Sequence, residues 1–240
     1  MSLITTVIFD MYGTLVYNDA EMWKATFEKI IQAQGLDTDT ESLWEEWRSV
    51  DHEYRAERVK PDTPFHSYYE AWREAFVRAF AALNLSGDAE AAVTKSISDL
   101  SRRDPYPETV QTLRTIERGW RIALLSNADD IFLLPNLKLL NLDFEAVLSS
   151  EEARDYKPQP SLFLEMLRRL GVTPQETVYV GDRQLEDILG ASQVGISAVW
   201  INRSGDSPDP ELPKPAYQIS SLAKLPALLT AWPLAEDGTL

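Results

Sequence analysis

The strongest constraint on what this chain can fold into is a recurring pattern: a short, β-branched apolar run that stops at a polar residue. LITTVIF (Leu3–Phe9) stops at Asp10, Arg121–Leu125 at Ser126, Thr177–Val180 one residue before the pair Gly181–Asp182, and Ser197–Ile201 at Asn202. Runs of this length and composition read as buried strands. Helical patterns lie between them, over Thr109–Arg118 and over Ser161–Leu170, the second opened by Pro160 and stopped by Gly171. Strand alternating with helix predicts a doubly wound α/β domain, a parallel sheet covered on both faces. In such sheets ligands bind beyond the carboxyl ends of the strands, which is where these polar residues fall.

Residues 18–101 break the alternation. They hold four of the seven tryptophans (Trp23, Trp44, Trp47, Trp72), many charges and no convincing strand. Helical spacing predicts four helices, near 19–34, 40–59, 64–83 and 88–100, punctuated by Gly35, Pro61 and Gly87. The expected organisation is therefore a core from residues 1–17 and 102–240, interrupted by an all-helical inserted domain over 18–101. Hinges are expected at 16–18 and 102–107. A Pro-rich surface loop, Ser204–Pro215, precedes a short C-terminal helix.

Composition narrows the chemistry. A net charge of −15 disfavours nucleic acid and anionic membranes as partners, which leaves a small-molecule substrate. With no cysteine, thiolate catalysis, disulfides and Cys-based metal sites are excluded. No apolar run is long enough to span a bilayer, and the chain runs straight into its first strand without a leader pattern. The expectation is a cytoplasmic protein, monomeric or homodimeric.

Four segments in order, VIFDMYGTLV, LLSN, YKPQPSLF and VYVGDRQLEDILGA, resemble the haloacid dehalogenase (HAD) superfamily, and the helical insertion resembles its C1-type cap. The resemblance implies a Rossmann-like core and hydrolysis through a covalent aspartyl intermediate. Asp10 is then the nucleophile, dividing one hard displacement into two easier ones. It also implies that Gly13 and Thr14 turn the chain so that backbone N–H groups and the Thr14 hydroxyl approach the substrate. Ser126 would donate to a substrate oxygen and Asn127 would orient the site, while Lys157 offsets negative charge on Asp10 and on the transition state. Asp10, Asp182 and the backbone carbonyl of Tyr12 would hold Mg²⁺. Asp187 would either assist at the metal or orient Lys157; Glu186 would face metal or solvent.

The motifs divide between two chemistries. Most HAD phosphatases carry a second Asp two residues after the nucleophile as general acid and base; here that position is Tyr12. DMYGTL is similar to the 2-haloacid dehalogenases, which expel halide without a proton donor, and WRSVDHEY resembles a dehalogenase cap segment in which Arg48 would reach substrate. Against this, those dehalogenases carry Ser where this chain has Asp182, Asn where it has Gln184, and Tyr where it has Phe163. Without a metal, Asp182 beside Asp10 is a like-charge pair that weakens the nucleophile. The expected activity is Mg²⁺-dependent hydrolysis of a small phosphorylated metabolite. The alternatives are metal-independent hydrolysis of a 2-haloacid and a non-catalytic binding protein on the same scaffold. Trp44, Trp47, Tyr54, Phe65, Tyr68, Tyr69 and Trp72 could line an apolar pocket but are read chiefly as the inserted domain's own core, and His52 and His66, candidate proton donors because a histidine titrates near neutrality, are read chiefly as surface or helix-face residues.

Overall fold

A computed structural model describes residues 3–60 and 63–232. Six parallel strands form one sheet: β1 (Thr6–Phe9), β2 (Arg121–Ser126), β3 (Ala146–Ser149), β4 (Thr177–Gly181), β5 (Ser197–Ile201) and β6 (Tyr217–Ile219), in the order β3-β2-β1-β4-β5-β6. The chain therefore starts at the centre and winds outward twice, and β1 is flanked by β2 and β4. All four residues of β1 and all five of β4 are buried, as a strand covered on both faces requires. Ile8, Leu125, Tyr179, Phe163 and Trp200 belong to one continuous core. Among the described residues no helix is long and apolar enough to cross a membrane.

The inserted helices follow their caps. α1 (Ala20–Gln34), α2 (Thr40–Arg58) and α4 (Ala89–Leu100) each begin at an aspartate, Asp19, Asp39 or Asp88, whose side chain accepts a backbone N–H of the first turn. α3 (Tyr68–Ala82) starts four residues later than the pattern from Pro64 suggested, because Ser67 and Glu70 close a capping box there. Pro61, the expected break before it, lies outside the described residues. The remaining helices are α5 (Thr109–Ile116), α6 (Asp130–Leu140), α7 (Ser150–Ala153), α8 (Pro160–Leu170), α9 (Gly190–Gln193) and α10 (Leu225–Thr230).

The chain divides into two compact units, residues 1–17, 104–127 and 140–240, and residues 18–103 with 128–139. Segment 128–139 thus belongs with the inserted helices, whereas the sequence placed it in the core. The reason is polar as well as apolar. Asp129 accepts the Tyr68 and Tyr69 N–H groups at the start of α3, and the Asn136 amide ties Leu100 O (2.6 Å) and Arg103 N (2.9 Å). Within this unit Trp23, Phe27, Trp44, Trp47, Trp72 and Phe76 pack ring against ring. Trp44, Trp47, Tyr68 and Trp72 are buried there, while Tyr54, Phe65 and Tyr69 are partly exposed and Arg48, His52 and His66 exposed.

Candidate active site

The register of the central strands brings the motif residues together. Phe9 is paired with Leu124 on one side and Val180 on the other, so Asp10 emerges between the ends of β2 and β4, its N–H bonded to Val180 O (2.9 Å). The chain then turns at Gly13, whose φ of 87° lies in the region that glycine alone enters without cost. The turn is closed by Gly13 N to Val16 O (2.9 Å) and by Leu15 N and Val16 N to Met11 O (2.8 and 3.1 Å). Thr14 is fully buried; its hydroxyl donates to Asp182 Oδ1 (3.3 Å), and its backbone N–H meets no acceptor among the described residues.

Asp10 is 5% exposed and is held asymmetrically. Oδ1 accepts from both the Ser126 hydroxyl (2.8 Å) and the Lys157 ammonium (2.8 Å), whereas Oδ2 receives no hydrogen bond from the described residues. One oxygen anchors the carboxylate and the other keeps its lone pairs for bond formation.

Lys157 arrives from the loop ahead of α8. Both ends of the Asn127 amide bond its backbone, Lys157 N to Oδ1 (2.8 Å) and Nδ2 to Lys157 O (3.1 Å), so Asn127 positions the lysine. The ammonium donates to Asp10 Oδ1, to the Tyr179 hydroxyl (2.8 Å) and to Asp187 Oδ1 (2.6 Å), which uses all three of its protons. Burial opposes its charge, yet the carboxylates of Asp10 and Asp187 hold its pKa well above the ordinary lysine value. Tyr179 is a site residue that the sequence reading passed over, because in a buried strand a tyrosine reads as core. Its proton is shared between Leu125 O (2.9 Å) and Asp187 Oδ1 (3.1 Å), and burial beside the Asp187 charge raises its pKa well above the usual phenol value.

The π-helical turn Gln184–Leu189 presents Asp187. Its Oδ1 takes Lys157 and its Oδ2 takes the Arg183 N–H (2.8 Å). These contacts fit the expected role of orienting Lys157. Glu186 is partly buried and pairs with Arg183 (3.6 Å); Gln184 accepts the N–H of Asp209 (3.0 Å).

Oxygens of Asp10, Asp182 and Asp187 lie within 4.8 Å of one another. Three carboxylates therefore face one ammonium. The imbalance falls on Asp182, whose carboxyl is pushed well above its ordinary range by burial and by the charges of Asp10 and Asp187. Asp187 is pushed up to about 6, burial outweighing the opposing pull of Lys157. Lys157 and Arg183 engage both oxygens of Asp187, whereas Asp10 and Asp182 each keep one oxygen that receives no hydrogen bond from the described residues; all three carboxylates belong to the cluster that could hold an ion. A hard divalent ion would suit such an oxygen-only set and would offset the excess charge.

Comparison with known proteins shows the family. Residues 4–195 match the haloacid dehalogenase-like hydrolases. The (S)-2-haloacid dehalogenase 4A of Burkholderia cepacia is 30% identical, over 95% of this chain and 93% of that protein. The glyceraldehyde 3-phosphate phosphatase of Methanopyrus kandleri is 31% identical, over 93% and 99% respectively. Among solved structures, a dehalogenase with an intermediate complex superposes with a TM-score of 0.75 at 28% identity, covering 95% of this chain and 97% of that one. With a family match across most of its length and full-length relatives named as hydrolases, the chain belongs to the haloacid dehalogenase-like hydrolases.

Proposed function

We propose that the protein is a Mg²⁺-dependent phosphohydrolase that uses Asp10 as nucleophile on a small phosphate ester. The observation that carries this reading is Asp182 beside Asp10: a site with three carboxylates and one lysine is short of positive charge, and a divalent ion supplies it. Asp10 and Asp182 would hold the ion, with the Tyr12 carbonyl as the third protein ligand expected from the sequence. When bound, Mg²⁺ lowers the charge on a phosphoryl oxygen and so makes phosphorus open to attack by an anion.

The protein groups do the rest. Lys157 and Ser126 fix Asp10 through Oδ1, leaving Oδ2 to form the bond to phosphorus as the bond from phosphorus to the leaving oxygen breaks. The Thr14 N–H is available to a phosphoryl oxygen. Water then attacks the phosphorus of the aspartyl phosphate, releasing inorganic phosphate and restoring Asp10. Tyr12 stands where an acid would protonate the leaving oxygen, and the loss of such a group costs about 10² to 10⁴ in rate. The substrate class that fits is one with a stabilised leaving group, an aryl or acyl phosphate rather than an alkyl one.

A second reading is supported by Tyr12 and by the dehalogenase relatives: attack by Asp10 on the halogenated carbon of a 2-haloacid, with Arg48 as the expected cap contact. Halide needs no proton donor, so Tyr12 is no handicap there. Two assays separate the readings. Phosphate release from p-nitrophenyl phosphate that EDTA abolishes supports the first, and full activity after thorough metal removal overturns it. Halide release from 2-chloropropionate, unaffected by EDTA and lost in Asp10→Asn, supports the second. If wild type shows neither, Tyr12→Asp tests whether the site is a phosphatase frame lacking its acid.

A further inference from the structure

Arg203, the second residue after β5, reaches back 190 positions to the turn that follows Asp10. Its guanidinium donates in three directions: Nε to Gly13 O (3.3 Å), Nη2 to Thr14 O (2.9 Å) and Nη1 to Glu108 Oε1 (2.8 Å). Its Cζ lies 3.5 Å from the ring centre of Tyr106. Glu108 is itself fixed by the Ser221 hydroxyl (2.9 Å) and the Leu222 N–H (3.3 Å).

These contacts add to the carbonyl bonding of the turn. Leu15 O accepts from Tyr106 N (3.1 Å) and the Thr109 hydroxyl (2.8 Å), and Val16 O accepts from Gly13 N. The carbonyls of Gly13 and Thr14 take their donors from Arg203. A buried carbonyl without a donor is costly, so the conformation of the turn depends on this side chain. A peptide unit is planar, so the cation on Gly13 O also fixes and polarises the Thr14 N–H at the other edge of that plane. That N–H has no acceptor among the described residues, whereas those of Gly13, Leu15 and Val16 are bonded within the turn. Three residues before Arg203, within β5, the Trp200 indole donates to Asp182 O (2.9 Å), which ties Asp182 to the same strand.

We propose that Arg203 is a positioning residue: it locks the Gly13–Thr14 peptide so that the Thr14 N–H and hydroxyl are held ready beside Asp10 and Asp182. The inference rests on the reading of Asp10 as the reacting residue for its kinetic consequence, but not for its structural one. Lysine cannot replace the fork, because a single ammonium does not span three acceptors arranged around a plane.

The test uses the full chain as wild type, Arg203→Met and Arg203→Lys, with amide hydrogen exchange measured without substrate and p-nitrophenyl phosphate turnover measured with Mg²⁺. Both variants should raise exchange at the amides of Gly13, Leu15 and Val16 by about tenfold or more while Ala123 and Leu125 of β2 stay protected. Turnover should fall through kcat, by about 10²-fold, with KM within twofold of wild type, since a shift of 1 Å at a reacting centre costs about that much. Exchange that is unchanged in the turn overturns the proposal, as does exchange raised equally in the turn and in β2. If Arg203→Met does not fold, Arg203→Lys carries the same comparison. If wild type turns over no phosphate ester, that failure belongs to the functional reading, and the exchange pattern alone decides the role of Arg203.

Discussion

Gly13 and Asp182 approach so closely that a Cβ on Gly13 would lie 2.5 Å from Asp182 Oδ2. Combined with the φ of 87° at this position, even the smallest side chain meets both backbone strain and a clash with the acid proposed to hold the metal. Gly13→Ala should therefore lower stability by about 1–3 kcal/mol and lower activity far more than that loss of folded protein accounts for. Urea unfolding alongside turnover per folded molecule checks this. Wild-type activity in the variant would show that the approach is not functional.

Asp182→Asn removes one of three carboxylates that share one lysine. In EDTA the variant should melt higher than wild type, because repulsion within the site is relieved. Wild type should in turn gain stability on addition of MgCl₂ in proportion to binding, and the variant should gain little. Thermal unfolding of both proteins with and without Mg²⁺ reads the two effects separately. Equal Mg²⁺ shifts in both would remove Asp182 from the metal site.

Lys157→Met leaves Asp10 and Asp187 facing each other without their cation. Breaking a buried pair in this way costs about 3–5 kcal/mol. Adding Asp187→Asn should recover part of that cost, since one stranded charge is gone. A double-mutant cycle by urea unfolding measures the coupling, and additive losses would mean that the two residues do not act on each other.

Glu108 gives a pH dependence with a defined sign. Burial raises its carboxyl, but the Arg203 guanidinium, its own backbone N–H and the Ser221 hydroxyl outweigh that and hold it below the ordinary carboxylate value. A pKa lowered on folding contributes stability above the unfolded value, and that stability is lost as pH falls through the folded value. Glu108→Gln should thus be less stable than wild type at pH 7, by about 1–2 kcal/mol, with the gap closing below about pH 4. Melting temperatures across pH 3–8 test it; a gap that does not change with pH would assign the loss to packing.

The sequence carried the central strands and the inserted helices because each is written locally. The runs at Thr6–Phe9 and Thr177–Gly181 are continuous and apolar, and Asp19, Asp39 and Asp88 announce the helices they cap. The outer strands β3 and β6 escaped notice. AVLS and YQI are too short for a period to show, and their pairing is set by neighbours rather than by their own pattern. At the site, Asp10, Ser126, Lys157 and Asp182 were recognisable because each sits in a motif. Tyr179, Arg203 and Glu108 were not, since Tyr179 reads as core in a buried apolar strand and the bonds that give Arg203 and Glu108 their roles span 95 to 190 residues. The placement of residues 128–139 failed for a related reason: Asp129 reads as a loop acid until the start of α3 is seen to need it.

The junction at the end of the first motif has one more implication. Val16 bridges to Pro105, Tyr17 N bonds Asp104 O (3.0 Å), and the rings of Tyr17 and Tyr106 stand 4.1 Å apart. The 86 residues of 18–103 therefore leave the α/β domain and return to it at a single stitched point. To the rest of the chain the excursion is a closed loop, and closing a loop costs nearly the same entropy whether it is short or long. Evolution can lengthen, shorten or exchange such a segment without rethreading the sheet. A Gly-Ser bridge in place of 18–103 should leave a foldable core, provided the apolar surface of α6, exposed by the excision, is made polar.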